Sequence, residues 1–181
     1  SEKEAYNFIL AIKEERFNST QLVAAMSFLI KRPVTVEELT GFKNALLDFS
    51  IKVQLDKEAI DVCGTGGDQK NTFNISTLSA IVLAASGVPV AKHGNSGASS
   101  VSGSSDILKH LGYKFKKTSA ELNDELEKHN ICFIHAPFFH PALQHVATQR
   151  KDLGLRTFFN LLGPLVNPAK VKHKYIGVFS Q

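Results

Sequence analysis

The sequence predicts an α/β domain with a mostly parallel sheet, joined to an all-helical N-terminal unit. Three observations lead to this fold class. Residues 1–52 place apolar side chains at helical spacing. From Asp56 onward, short apolar runs alternate with amphipathic stretches, as strands alternate with crossover helices. Two of those runs lead straight into glycine-bearing polar loops, and the carboxyl ends of parallel strands are where such sheets hold ligands.

The helical unit reads as three helices. Ser1 and Glu4 form a capping-box pattern, and Ala5, Phe8, Ile9 and Ile12 share one face of a helix reaching Arg16. Asn18 and Gln21 open a second helix through Leu22, Met26, Leu29 and Ile30, which Pro33 ends. Thr35 and Glu38 repeat the cap for a third, carrying Leu39, Phe42, Leu46, Leu47 and Phe49. Nothing in this unit suggests chemistry, so packing and self-association are its expected roles.

Residues 53–181 form the α/β unit. Strands are expected at Ile60–Cys63, Val88–Ala91, Tyr113–Phe115, Ile131–Ile134 and Tyr175–Phe179. Helices are expected at Thr77–Ser86 with Gly87 as its C-terminal cap, and at Ser104–Leu111, stopped by Gly112. A third runs from a Thr118–Glu121 cap to His129, and a fourth over Pro141–Leu153 with proline in its first turn. There is no internal repeat and no low-complexity segment.

Composition narrows the class of function. The 181 residues are 43% hydrophobic, which suits a globular core. No apolar run is long enough to cross a bilayer, and no signal-peptide pattern opens the chain. Cys63 and Cys132 lie in strand-like runs and read as reduced core residues, neither a disulfide nor a metal site. The expectation is a soluble cytoplasmic protein. Its 21 basic and 17 acidic residues leave a net charge of +4, which fits an anionic small ligand better than a nucleic acid. Lys114, Lys116 and Lys117 form the densest basic patch, read as a solvated strand edge.

The chemistry gathers in two loops. After Cys63 come Gly64, Thr65, Gly66, Gly67 and Asp68, then a polar stretch, then a helix start near Ser76. Glycines allow positive φ and leave no Cβ in the way, so a backbone can approach a phosphate beside a helix N-terminus. The second loop, Lys92 to Ser100, combines a cation, an imidazole, an amide, two glycines and several hydroxyls. That mixture suits a phosphate or pyrophosphate with a planar partner beside it. Taken singly, Lys92 reads equally as a surface lysine, His93 as a structural histidine and Asn95 as a turn residue.

Together the motifs resemble a known family. Asp61 to Asp68, Thr72 to Thr77, Lys92 to Asn95, Ala136 to Ala142 and Arg150 to Pro168 are similar, in order, to anthranilate phosphoribosyltransferase. The resemblance implies a helical domain beside an α/β domain, a fold shared with pyrimidine nucleoside phosphorylases. It implies transfer of the phosphoribosyl group of phosphoribosyl pyrophosphate to anthranilate, with release of pyrophosphate, in tryptophan biosynthesis. It also implies magnesium (Mg2+) as cofactor and homodimers formed through the helical domain. By the same resemblance Gly64, Thr65, Gly66, Gly67 and Asp68 surround the donor. Asn74, Ser76 and Thr77 contact phosphate and metal, with the Ser76 hydroxyl on the magnesium. Lys92 faces the phosphates, while Asn95 and Arg150 contact anthranilate. Thr72, His93, Gly94 and Ser105 complete the set. No catalytic base is implied with certainty; His93 is the nearest candidate, and a positional role suits it better.

Two departures matter. Ser96 stands where many relatives carry arginine or tyrosine, and the family's Asp-Glu magnesium pair lies further along than this chain extends. The chain therefore reads as truncated at the C-terminus, as starting inside the helical domain, and as inactive by itself. Two other readings stay open. One is an enzyme like the pyrimidine nucleoside phosphorylases. The other is a non-enzymatic relative that binds nucleic acid through its basic surface.

Overall fold

The computed structural model describes residues 1–66, 73–97 and 102–178. The helical unit opens with α1 (Glu2–Lys13), α2 (Ser19–Ile30) and α3 (Val36–Asp48). Each begins where its cap was expected. The side chains of Ser1, Asn18 and Thr35 accept the N–H three residues on, and Glu4, Gln21 and Glu38 return the bond. Glu38 also takes two hydrogen bonds from Arg32, at 2.8 and 2.6 Å, which hold its carboxyl down to about 2. Helices α1 and α3 meet at Gly41. A Cβ there would lie 2.1 Å from the Glu2 carbonyl oxygen, so the approach requires glycine. Ile9, Ile12, Met26, Phe42 and Leu46 bury their side chains in one core with Val146, Phe158, Leu162 and Val166. The helical unit is thus packed to residues 142–166, across the division expected at residue 52.

Among the described residues four parallel strands form the sheet: β1 (Ile60–Gly64), β2 (Val90–Gly94), β3 (Ile131–His135) and β4 (His173–Gly177), in the order β3-β2-β1-β4. Helix α4 (Ile75–Ala85) joins β1 to β2, and α5 (Ser104–His110) and α6 (Ser119–His129) lie between β2 and β3. Val62 and Val90 pack on Ala80 and Ala84 of α4. Ala91, Cys132 and Ile134 share a second cluster with Leu122, Leu126 and Phe139. After β3 the chain makes four short helices, α7 (Ala136–Phe139), α8 (Pro141–Gln144), α9 (Ala147–Leu153) and α10 (Phe159–Leu162). A 3₁₀ turn at Gly163–Leu165 then leads to β4.

Several expectations are corrected. Tyr113–Phe115 forms no strand; aromatic packing holds it, with the Tyr113 ring 5.1 Å from Phe115 and 5.2 Å from Phe133. Its lysines are accordingly not a strand edge: Lys116 pairs with Glu125 and Lys117 sits over the Phe138 ring. The second strand begins and ends later than expected, because Val90 to Gly94 pair with Ile131 to His135, so Lys92 and His93 are strand residues. The helix expected over Pro141–Leu153 breaks at His145 and Val146, where Val146 leaves helical geometry and is wholly buried in the helical core. The last strand starts at His173, and Phe179 lies outside the described residues.

Candidate functional site

A cleft of about 830 Å³ opens at the carboxyl ends of β1 and β2. One wall is Gly64 to Gly66 and the first turn of α4; another is the end of β2 and Asn95 to Gly97; Ala136, Arg150, Phe159, Asn160, Leu162 and Gly163 lie on a third. Alternation along β2 explains what it presents. Val90 and Lys92 face the α4 side with Val62, while Ala91 and His93 face the other.

Lys92 is only 2% exposed. Its Nζ donates to the Val62 carbonyl at 2.6 Å and to Ser76 Oγ at 3.3 Å, joining β2 to β1 and to the start of α4. Burial pushes its pKa down, and the neighbouring Cys63 and Asp61 oppose that shift. Asp61, buried behind it, accepts the His93 backbone N–H at 3.0 Å, and burial pushes its carboxyl up. A buried ammonium beside a helix start and a glycine turn favours an anion. Asn74 makes no side-chain cap; the Ile75 and Thr77 N–H groups bond to the Phe73 and Asn74 carbonyls, and in this first turn of α4 the Ser76 N–H is without a partner among the described residues. Gly66 adopts φ +63°, which few residues besides glycine tolerate.

His93 plays a different part. Its Nδ1 lies 3.0 Å from the Gly163 carbonyl, which can only accept, so Nδ1 carries the proton. Burial pushes the imidazole down to about 4, which leaves it neutral at neutral pH. Its ring packs edge-on against His140 at 5.3 Å. The arrangement makes His93 a strut between β2 and the 3₁₀ turn.

The loop after β2 is braced by a residue that the sequence reading missed. Asp106 Oδ2 accepts the N–H groups of Gly97 and Gly103, both at 2.8 Å. Burial alone would raise its pKa, but these bonds outweigh it and hold the carboxyl below its ordinary value. The missed signal was an aspartate three residues past a glycine at a helix start. Gly103 itself has no room for a Cβ, which would stand 2.4 Å from the Asn95 carbonyl oxygen. Asn95 is exposed at the cleft, and its Oδ1 accepts the Ser96 N–H at 2.8 Å.

Arg150 reaches the cleft from α9. Its guanidinium lies 5.0 Å over the Phe159 ring, and burial is the cause that lowers its pKa. Among the described residues it has no ion pair or hydrogen bond. A planar carboxylate in the cleft would supply both. Phe159 and Leu46, which also line the cleft, were read in sequence only as a motif residue and a core residue.

The remaining expected residues divide. Thr65, Gly64, Asn74, Ser76, Thr77 and Gly94 line the cleft. Gly67, Asp68 and Thr72 lie outside the described residues. Ser105 is corrected: it is 1% exposed, its hydroxyl meets His135 Nδ1 at 2.8 Å, and its neighbour Ser104 lines the cleft instead. Cys63 and Cys132 are both free, and burial pushes their thiols up to about 11 and about 12. Magnesium favours an octahedral shell of carboxylates, phosphates and water. Ser76 Oγ instead accepts from an ammonium, and the described residues contain no cluster of three His, Cys, Asp or Glu able to hold a metal. By themselves these residues do not fit a magnesium site. No described helix is long and apolar enough to cross a membrane.

Comparison with known proteins agrees with this geometry. The chain is 51% identical over 181 residues to the anthranilate phosphoribosyltransferase of Christiangramia forsetii, covering 99% of this chain and 55% of that protein. A crystal structure of anthranilate phosphoribosyltransferase from Thermus thermophilus superposes with a TM-score of 0.86 at 39% identity, over 99% of this chain and 55% of that one. The Saccharomyces cerevisiae enzyme in complex with PRPP and Mg gives a TM-score of 0.86 at 32% identity, over 100% of this chain and 55% of that one. The chain thus spans about half the length of the relatives it matches. Residues 56–181 match the model of the glycosyl transferase family's a/b domain, and the chain belongs to that family.

Proposed function

We propose that this chain carries the donor and acceptor cleft of an anthranilate phosphoribosyltransferase. One observation carries the reading: a single cleft joins a buried ammonium, at a glycine turn and a helix start, to a guanidinium with no partner among the described residues. The first is suited to the pyrophosphate of phosphoribosyl pyrophosphate, the second to the anthranilate carboxylate. The names of its relatives support both assignments.

In the proposed reaction the anthranilate nitrogen forms a bond to the anomeric carbon. The bond from that carbon to pyrophosphate breaks, and pyrophosphate leaves with the electron pair. The nitrogen then loses a proton. Lys92 and the Ser76 N–H at the start of α4 stabilise the charge gathering on pyrophosphate. Arg150, steadied by Phe159, orients the acceptor. Aromatic amines are neutral and weakly basic, so a strong side-chain base is not required, and neutral His93 serves as a strut. Magnesium, where bound, would offset charge on the pyrophosphate; by themselves the described residues do not hold it. A homodimer through the helical unit, where Phe28 and Val36 stay exposed, belongs to the same proposal. So does a cytoplasmic setting, which two free cysteines support.

Titration calorimetry tests the reading on the chain as it stands. Phosphoribosyl pyrophosphate and anthranilate should both bind. Binding of inorganic phosphate and a nucleoside, with neither of those ligands, would replace it with a phosphorylase.

A further inference from the structure

The ladder between β2 and β3 ends at the pair Gly94–His135. Beyond that pair the chain continues as two walls of the cleft, Asn95 to Gly97 on one side and Ala136 on the other. A side-chain rung continues the ladder across the gap. Ser105 of α5 gives its backbone N–H to the Asn95 carbonyl at 3.2 Å, and its hydroxyl meets His135 Nδ1 at 2.8 Å. His135 is held in plane, with Phe115 stacked at 4.5 Å and Phe138 edge-on at 5.0 Å.

Both polar side chains are buried, and core packing alone would be served as well by a phenylalanine and an alanine. What the hydrogen bond adds is direction: it ties the N-terminal turn of α5, and through it the Asn95 backbone, to the residue just before Ala136. We propose that the Ser105–His135 hydrogen bond is a positioning rung that sets the gap between Asn95 and Ala136, and with it the grip of the cleft on its planar acceptor. The acceptor half of this statement rests on the proposed transferase reading. The donor wall is braced by other bonds, from Lys92 to Val62 and Ser76 and from the Thr65 N–H to the Gly177 carbonyl. Loss of the rung should therefore separate the two ligands.

The test compares the parent chain with Ser105→Ala, His135→Phe, the double variant and His135→Asn. His135→Phe keeps the ring stack and removes the nitrogen; His135→Asn returns a polar atom near the Nδ1 position. Calorimetry should show anthranilate affinity falling about fivefold in each of Ser105→Ala and His135→Phe, the loss expected for one net hydrogen bond. The double variant should be no weaker than the weaker single one, and His135→Asn should recover part of the loss. The affinity for phosphoribosyl pyrophosphate should stay within about twofold of the parent, since its contacts are untouched. Unchanged anthranilate affinity, additive losses, or equal losses for both ligands would overturn the proposal. If the parent binds neither ligand, the transferase reading fails, and amide hydrogen exchange decides the rung. In Ser105→Ala the amides of Ser105, Ser96 and Gly97 should exchange faster relative to β2; unchanged protection would overturn it.

Discussion

Arg150→Ala is expected to weaken anthranilate without lowering the stability of the fold. The guanidinium is largely buried, rests on Phe159 at 5.0 Å and has no anionic partner among the described residues. Its removal forfeits a cation–π contact worth ~0.5–2 kcal/mol. It also relieves the burial of an unpaired charge, which costs up to several kcal/mol. The two offset, so Tm should move by less than about 4 °C. In the proposed complex the balance differs, because the carboxylate would pair with the guanidinium there. Losing a charge-assisted pair costs ~1.5–3 kcal/mol, roughly ten- to 150-fold in Kd. Phosphoribosyl pyrophosphate, which the proposal assigns to the Lys92 wall, should bind as before. Arg150→Lys should fall between, since it keeps the charge and loses the planar fork. Calorimetry with both ligands and a thermal melt measure all of this. Equal losses for both ligands, or a large drop in Tm with anthranilate affinity intact, would refute the reasoning and leave Arg150 as a packing residue.

Lys92→Met should leave Tm within a few degrees, because it removes a buried charge and orphans the Val62 carbonyl, while the Ser76 hydroxyl it also frees lines the cleft, where water can replace the bond. It should weaken phosphoribosyl pyrophosphate at least about tenfold; calorimetry showing parent-like affinity would count against the anion site. Gly66→Val should also weaken the donor. Nothing lies within 4 Å of the added Cβ, so the penalty is the positive φ, about 1–2 kcal/mol, and far-UV circular dichroism should stay native. Acid should destabilise the fold in a defined window. His93 and His135 are pushed down from 6.5 to about 4 and His140 to about 3, chiefly by burial. The unfolded chain binds more protons below 6.5, so stability is full above 6.5 and falls as the pH drops toward 4 and below. His140→Phe should flatten that part of a Tm-against-pH curve, and an unchanged slope would show that His140 does not contribute.

The parts of this molecule that the sequence disclosed are those whose signal is local. The caps at Ser1, Asn18, Thr35 and Thr118 depend on residues three apart, and all four form. The glycine turn at Gly66 and the helix start at Ser76 were legible for the same reason. What stayed hidden depends on partners far along the chain. Whether β2 ends at Ala91 or Gly94 is decided by pairing with Ile131 to His135. The break at Val146 is decided by a core built largely from the first 50 residues. Ser105 was read as a ligand contact through the family resemblance, which says nothing of its tertiary partner. Only the fold brings His135, thirty residues on, to its hydroxyl.

The strand position of Lys92 and His93 also divides their labour. In a loop, both side chains could turn to a ligand. In a strand, neighbours point to opposite faces. Lys92 therefore reaches Val62 and Ser76 on the α4 side, while His93 reaches Gly163 and His140 on the side of the helical core. The Gly163 carbonyl that His93 bonds begins the turn after α10, the helix that opens with Phe159 beneath Arg150. One strand thus fixes one wall of the cleft with one residue and braces another with the next. Asp61 accepts the backbone N–H between them, which fixes the phase of that alternation from inside the sheet.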